Sequence, residues 1–179
     1  MSKKLLSSLI ILGAIFSSAP TSVLADSSVL NIETKATTVD VTVPGSTAIV
    51  FNADGTNTTP SNFVISNQSK IAGINLSSVE LDAGLSGWNL VDDSTDLKVK
   101  AVDTKNIRLK VGKLGQEQLV SPSAGSVSSS GTAQLGKALF SIPAESQEKM
   151  NFVVERGAFG QSEAEAKAFD MTLNFEFNS

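Results

Sequence analysis

The chain has 179 residues with no cysteine, no histidine and no tyrosine, and carries 14 basic against 18 acidic side chains. These absences exclude a disulfide framework, Ser-His-Asp and Cys-His triads and the usual zinc ligand sets, leaving Ser, Lys, Asp and Glu for side-chain chemistry. The acidic balance argues against a phosphate-backbone partner, which needs clustered Lys and Arg to displace counterions, so no nucleic acid is expected.

Residues 1 to 25 read as a cleavable secretory signal peptide. Lys3 and Lys4 form a cationic tip, Leu5 to Phe16 an apolar run, and Val23-Leu24-Ala25 a small-residue cleavage site before the polar Asp26-Ser27-Ser28. Ser7 and Ser8 interrupt the apolar run, which falls short of the roughly 20 apolar residues of a bilayer span. No second apolar stretch of that length follows, and no cysteine is there to carry a lipid. A mature chain Asp26 to Ser179 is therefore expected, the size of one domain. It would be secreted and extracellular, associated with the cell surface by noncovalent contacts or released, with no integral membrane segment after cleavage.

From Thr37, apolar Val39, Val41 and Val43 alternate with polar Thr38, Asp40 and Thr42, the period of a half-buried strand that Pro44-Gly45 ends. Ala48 to Phe51 precedes the turn Asn52-Ala53-Asp54-Gly55. Asn62 to Ser66 is the next strand and breaks at Asn67-Gln68-Ser69. Ile71 to Leu81 is a longer one, whose inward positions shift from Ile74 and Leu76 to Val79 and Leu81; that change of parity predicts a bulge near Ser77-Ser78. Trp88, Leu90 and Val91 form an apolar cluster ahead of the acidic turn Asp92 to Asp96. Leu97, Val99 and Ala101 alternate with Lys98 and Lys100, and Ile107, Leu109 and Val111 with Arg108 and Lys110, which predicts a hairpin with a basic solvent face.

Gly115 to Gln134 is rich in Ser and Gly and has no apolar period, so a mobile loop at 115–134 is expected. Structure resumes at Leu139 to Ile142 and again at Met150 to Glu155. Gln161 to Ala168 has helical composition but room for at most two turns. The last segment is the most regular strand of the chain, with Phe169, Met171, Leu173, Phe175 and Phe177 alternating with Asp170, Thr172, Asn174 and Glu176. Roughly eight to ten short strands with no long helix predict an all-β fold, an antiparallel two-sheet sandwich in a single domain over 26–179, with a barrel as the alternative.

Little in this pattern points to chemistry. Asn52 to Asn57 offers oxygen-bearing side chains but lacks the spacing and distal Glu of a calcium loop, and a turn explains it better. Asp92, Asp93 and Asp96 are the metal candidates, three carboxylates in one turn that would hold calcium weakly if the backbone converged them. Trp88 stands between apolar neighbours and reads as a core residue rather than a sugar platform. Asn57, Asn67 and Asn75 begin glycosylation-type triplets that read as turn and strand residues. Nothing places any two of Glu145, Glu148, Glu163 and Glu165 across a cleft as a hydrolytic pair. No catalytic residue, cofactor or enzymatic activity is assigned.

The stretch Val39-Asp40-Val41-Thr42-Val43-Pro44, then Ala53-Asp54-Gly55-Thr56, Ser61-Asn62-Phe63-Val64-Ile65-Ser66-Asn67-Gln68-Ser69 and Gly87-Trp88-Asn89-Leu90, resembles small secreted surface proteins of Gram-positive bacteria. Phe140-Ser141-Ile142-Pro143 and Phe169 to Phe177 extend that resemblance over most of the expected mature chain. It implies an immunoglobulin-like surface or matrix domain, similar in type to camelysin-like fibre subunits and to WxL surface proteins. Trp88 is the only tryptophan, so the doubled Trp-x-Leu wall-binding motif of the latter is absent. The function expected from this is a nonenzymatic surface or extracellular-matrix structural protein that assembles by strand addition into fibres, with itself or a related surface subunit as partner. The alternative is a secreted adhesin or ligand-binding module that acts on a cell-wall or host component through its loops.

Overall fold

The structure is a computed structural model that describes residues 40–178 apart from 53, 55, 85 and 161–166. The signal peptide, the first residues of the strand expected from Thr37 and most of the helical stretch expected at Gln161 to Ala168 lie outside the described residues. Fifteen strands run in the order β1 (Val41–Thr42), β2 (Val50–Phe51), β3 (Asn57–Thr58), β4 (Val64–Asn67), β5 (Ile74–Ala83), β6 (Asn89–Val91), β7 (Asn106–Gly112), β8 (Gln118–Leu119), β9 (Ser121–Pro122), β10 (Val127–Ser128), β11 (Gly131–Gln134), β12 (Ser141–Ile142), β13 (Ser146–Lys149), β14 (Asn151–Arg156) and β15 (Phe169–Phe177). The fold is all-β, as the alternating pattern requires, and no helix among the described residues is long and apolar enough to cross a membrane.

Two five-stranded sheets carry the sandwich. In one, β12 and β11 lie along one side of β5, β15 lies along the other, and β9 pairs with β11. In the second, the order is β10, β6, β7, β14, with β8 also on β7. Strands β1, β4 and β13 make a third, smaller sheet, and β2 with β3 a separate hairpin. Inward residues of both large sheets merge in one apolar core, including Leu76, Val79 and Leu81 of β5, Leu109 and Val111 of β7, and Phe152 and Val154 of β14. Phe63 closes it edge-to-face on Phe152, with ring centroids 5.3 Å apart. Full burial of each such side chain contributes about 1.5–3 kcal/mol, so the core alone can stabilise a chain that has no covalent cross-link.

The bulge expected near Ser77-Ser78 is present. Asn174 stands opposite Ser78 and Phe175 opposite Leu76, so Ser77 is the extra residue of β5. Its hydroxyl turns to donate to the Asn174 carbonyl at 3.0 Å. Inserting one residue flips strand parity, which is why Ile74 and Leu76 on one side of it and Val79 and Leu81 on the other all reach the same core.

Two expectations are corrected. Leu97 to Ala101 does not pair with Ile107 to Val111, because Leu97–Val99 is a 3-10 turn started by Asp96, whose carboxylate accepts the Lys98 N–H at 2.9 Å. Such a local side-chain bond competes with a ladder, and three residues of alternation suit a turn with one buried residue equally well. β7 pairs instead with β14 and β8 antiparallel and with β6 in parallel. A parallel neighbour needs roughly a dozen connecting residues or more, and 92–105 supply them.

The second correction concerns 115–134, which holds β8, β9, β10 and β11 rather than an unstructured loop. This segment passes from sheet to sheet, β8 on β7, β9 on β11, β10 on β6 and β11 on β5. Val120 is fully buried at the first crossing and donates its N–H to the Leu109 carbonyl at 2.9 Å. Gly131 is required there: a Cβ would lie 2.5 Å from the Ser121 carbonyl oxygen and 2.8 Å from Leu90 Cδ1. Each piece contributes only one or two inward residues, so no apolar period shows.

Candidate functional site

The acidic turn after β6 is organised by its own side chains. One oxygen of Asp92 accepts the Ser94 hydroxyl at 2.7 Å, the Thr95 hydroxyl at 3.0 Å and both backbone N–H groups at 3.1 Å. The Ser94 hydroxyl, aided by the Thr95 hydroxyl and the two backbone N–H groups, holds the Asp92 carboxyl below its ordinary range against the opposing effect of desolvation. From the strand beneath, Arg108 of β7 donates to the Asp92 carbonyl at 3.1 Å and to the Thr95 carbonyl, and its guanidinium pairs with Asp93 at 3.2 Å and with Glu155 of β14. Lys110 adds a second cation to Asp93 at 3.2 Å. The basic residues of β7 therefore pin an acidic turn instead of forming a free solvent face.

A cleft of about 490 Å³ opens beside this turn. Asp93, Asp96 and Lys98 of the turn region, Phe51 and Asn57 of the β2–β3 hairpin, Arg108 of β7, and Glu155 and Arg156 of β14 line it. The β2–β3 hairpin is held there by Asn57, whose amide donates to the Val154 carbonyl at 2.8 Å, and by Arg156, which donates to the Asn52 carbonyl at 3.3 Å. The expected turn at 52–57 is the tip of this hairpin, with Asp54 accepting the Thr56 N–H at 2.9 Å and hydroxyl at 2.6 Å. The Arg156 guanidinium lies 4.9 Å from the ring centres of both Phe51 and Phe159. Trp88 stacks on the same two rings, at 5.9 and 5.4 Å, so the lone indole joins the hairpin to the end of β14 and packs against the core while partly exposed.

Of the metal candidates, Asp92 is engaged by the turn, Asp93 by Arg108 and Lys110, and Asp96 by the Lys98 N–H. Among the described residues no three His, Cys, Asp or Glu side chains are grouped to hold a metal ion. Asp93 and Glu155, both in the lining of the cleft, share the Arg108 guanidinium, an arrangement that suits a structural clamp. Glu148 pairs with Lys113 at 2.7 Å, and Glu163 and Glu165 lie outside the described residues. Asn67 and Asn75 are buried; Asn67 donates to the Ala72 and Pro143 carbonyls at 2.9 and 3.0 Å.

The Arg108 clamp and the Arg156 aromatic cluster were not evident from sequence. The one available signal was an arginine at a polar strand position, with an acidic turn upstream and Glu155 downstream in a second strand. A different feature stands at the edge of the β5 sheet, where β15 pairs with β5 along its full length and with no other described strand. Phe169, Met171, Leu173 and Phe175 pack against the core there but are only partly buried. Comparison with protein-family models, with curated proteins and with solved structures returned no match for this chain.

Proposed function

We propose that this chain is a secreted, nonenzymatic structural protein of the cell surface or extracellular matrix, which assembles by strand addition with itself or with a related subunit. The edge of β15 carries this reading: among the described residues its nine residues pair on one side only, and its apolar face is incompletely covered. An added strand would satisfy backbone groups and cover apolar surface in one step. The export signal in the sequence and the resemblance to camelysin-like and WxL surface proteins support the same setting. The engaged carboxylates of the cleft favour a structural role over hydrolysis.

A second reading is a binding module that takes a cell-wall or host component in the cleft beside Phe51, Asn57 and Arg156. What favours it is the combination of an aromatic ring, Phe51, with polar side chains and two arginines in one lining. Size-exclusion chromatography and negative-stain electron microscopy of the purified chain from Asp26 onward, with and without calcium, separate the two. Filaments or large regular oligomers are expected. A persistent monomer whose loops bind a wall or host component would replace assembly with the binding reading.

A further inference from the structure

The backbone of β15 can be sorted into paired and open positions. At one end Gly84 donates to the Ala168 carbonyl at 2.9 Å, and at the other Asn178 donates to the Gly73 carbonyl at 2.9 Å. Antiparallel neighbours exchange bonds at alternate residues, and the extra residue, Ser77, belongs to β5, so the alternation of β15 itself is unbroken. Even-numbered residues therefore face β5. Phe169, Met171, Leu173, Phe175 and Phe177 direct their N–H and C=O groups outward, while their side chains stand opposite Ala83, Leu81, Val79, Leu76 and Ile74 on the core side.

Edges of this kind are ordinarily blunted by Lys, Pro, a bulge or a covering segment. Between Phe169 and Phe177 there is no Lys, Arg or Pro. The last strand of the other large sheet, β14, is treated differently, since the Asn57 amide caps its Val154 carbonyl.

Of the three antiparallel registers that overlap most of the strand, one is self-complementary. Centred on Leu173, two copies would set Asp170 against Glu176 twice, a like-charge contact. Centred on Thr172, they would set Asp170 against an Asn174 whose amide hydrogens are already given to Ser78 at 3.0 Å and Glu80 at 2.7 Å, leaving its oxygen to face a carboxylate. Centred on Asn174, Thr172 meets Glu176 of the second copy, so a hydroxyl donates to a carboxylate on each side of the axis. Leu173 then faces Phe175 and Met171 faces Phe177, which is 41% exposed in the single chain. Roughly eight backbone hydrogen bonds form across such a border.

We propose that β15 pairs antiparallel with β15 of a second copy about a two-fold axis at Asn174, joining the two sheets into one. This rests on the strand-addition reading of the edge and gives it a partner and a register. A two-fold contact is closed, so the dimer is the building block, and any fibre grows from it through a different, head-to-tail contact.

The test uses the absence of native cysteine. Asn174→Cys should give a covalent dimer on mild oxidation, because a non-hydrogen-bonded pair on the axis holds its Cα atoms roughly 4.5 Å apart, within disulfide reach. Thr172→Cys should give little. Thr172 is exposed and stands opposite Glu80 of β5, so Thr172→Lys and Thr172→Glu should keep the fold, with melting slightly raised by the lysine and slightly lowered by the glutamate. In sedimentation at low salt the lysine variant should dimerise roughly fivefold more tightly and the glutamate variant roughly fivefold more weakly. Preferential cross-linking of Thr172→Cys, a common direction of change for the two charged variants, or filaments that all these variants leave unchanged would overturn the register and leave assembly standing. Monomer at every concentration would overturn both, whereas a cross-linked dimer with no larger species would uphold the inference and remove the fibre.

Discussion

Along the Ser- and Gly-rich side of the sandwich the chain passes repeatedly between the sheets, β8 on β7, β9 on β11, β10 on β6 and β11 on β5, so no long strand border is left there. Along the β15 side, one regular strand of nine residues ends its sheet with no described neighbour on its outer edge. The irregular stretch is thus the closed border and the regular one the open border. Strict alternation marks a residue run as sheet, but it does not say whether both edges of the run are used. Small residues such as Gly131 allow backbones to come close enough to seal a corner.

The comparison breaks most sharply at Gly131. Gly131→Ala forces a methyl group onto the Ser121 carbonyl, and a loss of about 3 kcal/mol is expected from such overpacking, read as a lowered midpoint in urea. Val120→Ala, in the same seam, should cost about 2 kcal/mol through the lost apolar contacts and the cavity left behind. At the open border the expectation is much smaller: Thr172→Glu, which faces Glu80 across the ladder, should cost the monomer no more than about 1 kcal/mol while weakening self-association. If Gly131→Ala were neutral, or Thr172→Glu strongly destabilising, the assignment of closed and open sides would fail.

The smallest effect concerns the turn that flanks the seam, where Asp92 donates its N–H to the Ser126 carbonyl at 3.2 Å. Hydrogen bonds from Ser94 and then Thr95 depress the Asp92 pKa in the folded chain. A depressed carboxyl contributes stability that is present above its unfolded value and is lost as pH falls through the folded value. The Ser94 and Thr95 amide resonances should therefore titrate with a midpoint below about 3.9, the ordinary Asp value, and the titration should vanish in Asp92→Asn. A midpoint at or above the ordinary value would mean that the turn is not closed by Asp92.

Much of the fold is legible in the sequence. The alternation of Phe169 to Phe177 became β15, the parity change between Leu76 and Val79 became the bulge at Ser77, and Asn52 to Asn57 became a hairpin tip. Less of the site was legible. Asp92, Asp93 and Asp96 were found as a group, but their partners were not, since Arg108, Lys110 and Glu155 come from other strands. The apolar surroundings of Trp88 mark it as packed, while the two phenylalanines it stacks on, and the arginine that lies over both of them, are far from it in sequence.

The sequence by itself determined the class of the fold and the inward face of its long strands, because side-chain parity and turn residues act within a few positions of one another. The tertiary structure decided which strands became neighbours. A short segment such as 97–101 satisfies either a turn or a ladder, and the choice depends on whether a partner strand is already occupied: β7 is taken by β6, β8 and β14. It also decided that 115–134 would close one border and that β15 would end the other with no described neighbour. Pairing is a contact between residues distant along the chain, and local pattern carries no record of the partner.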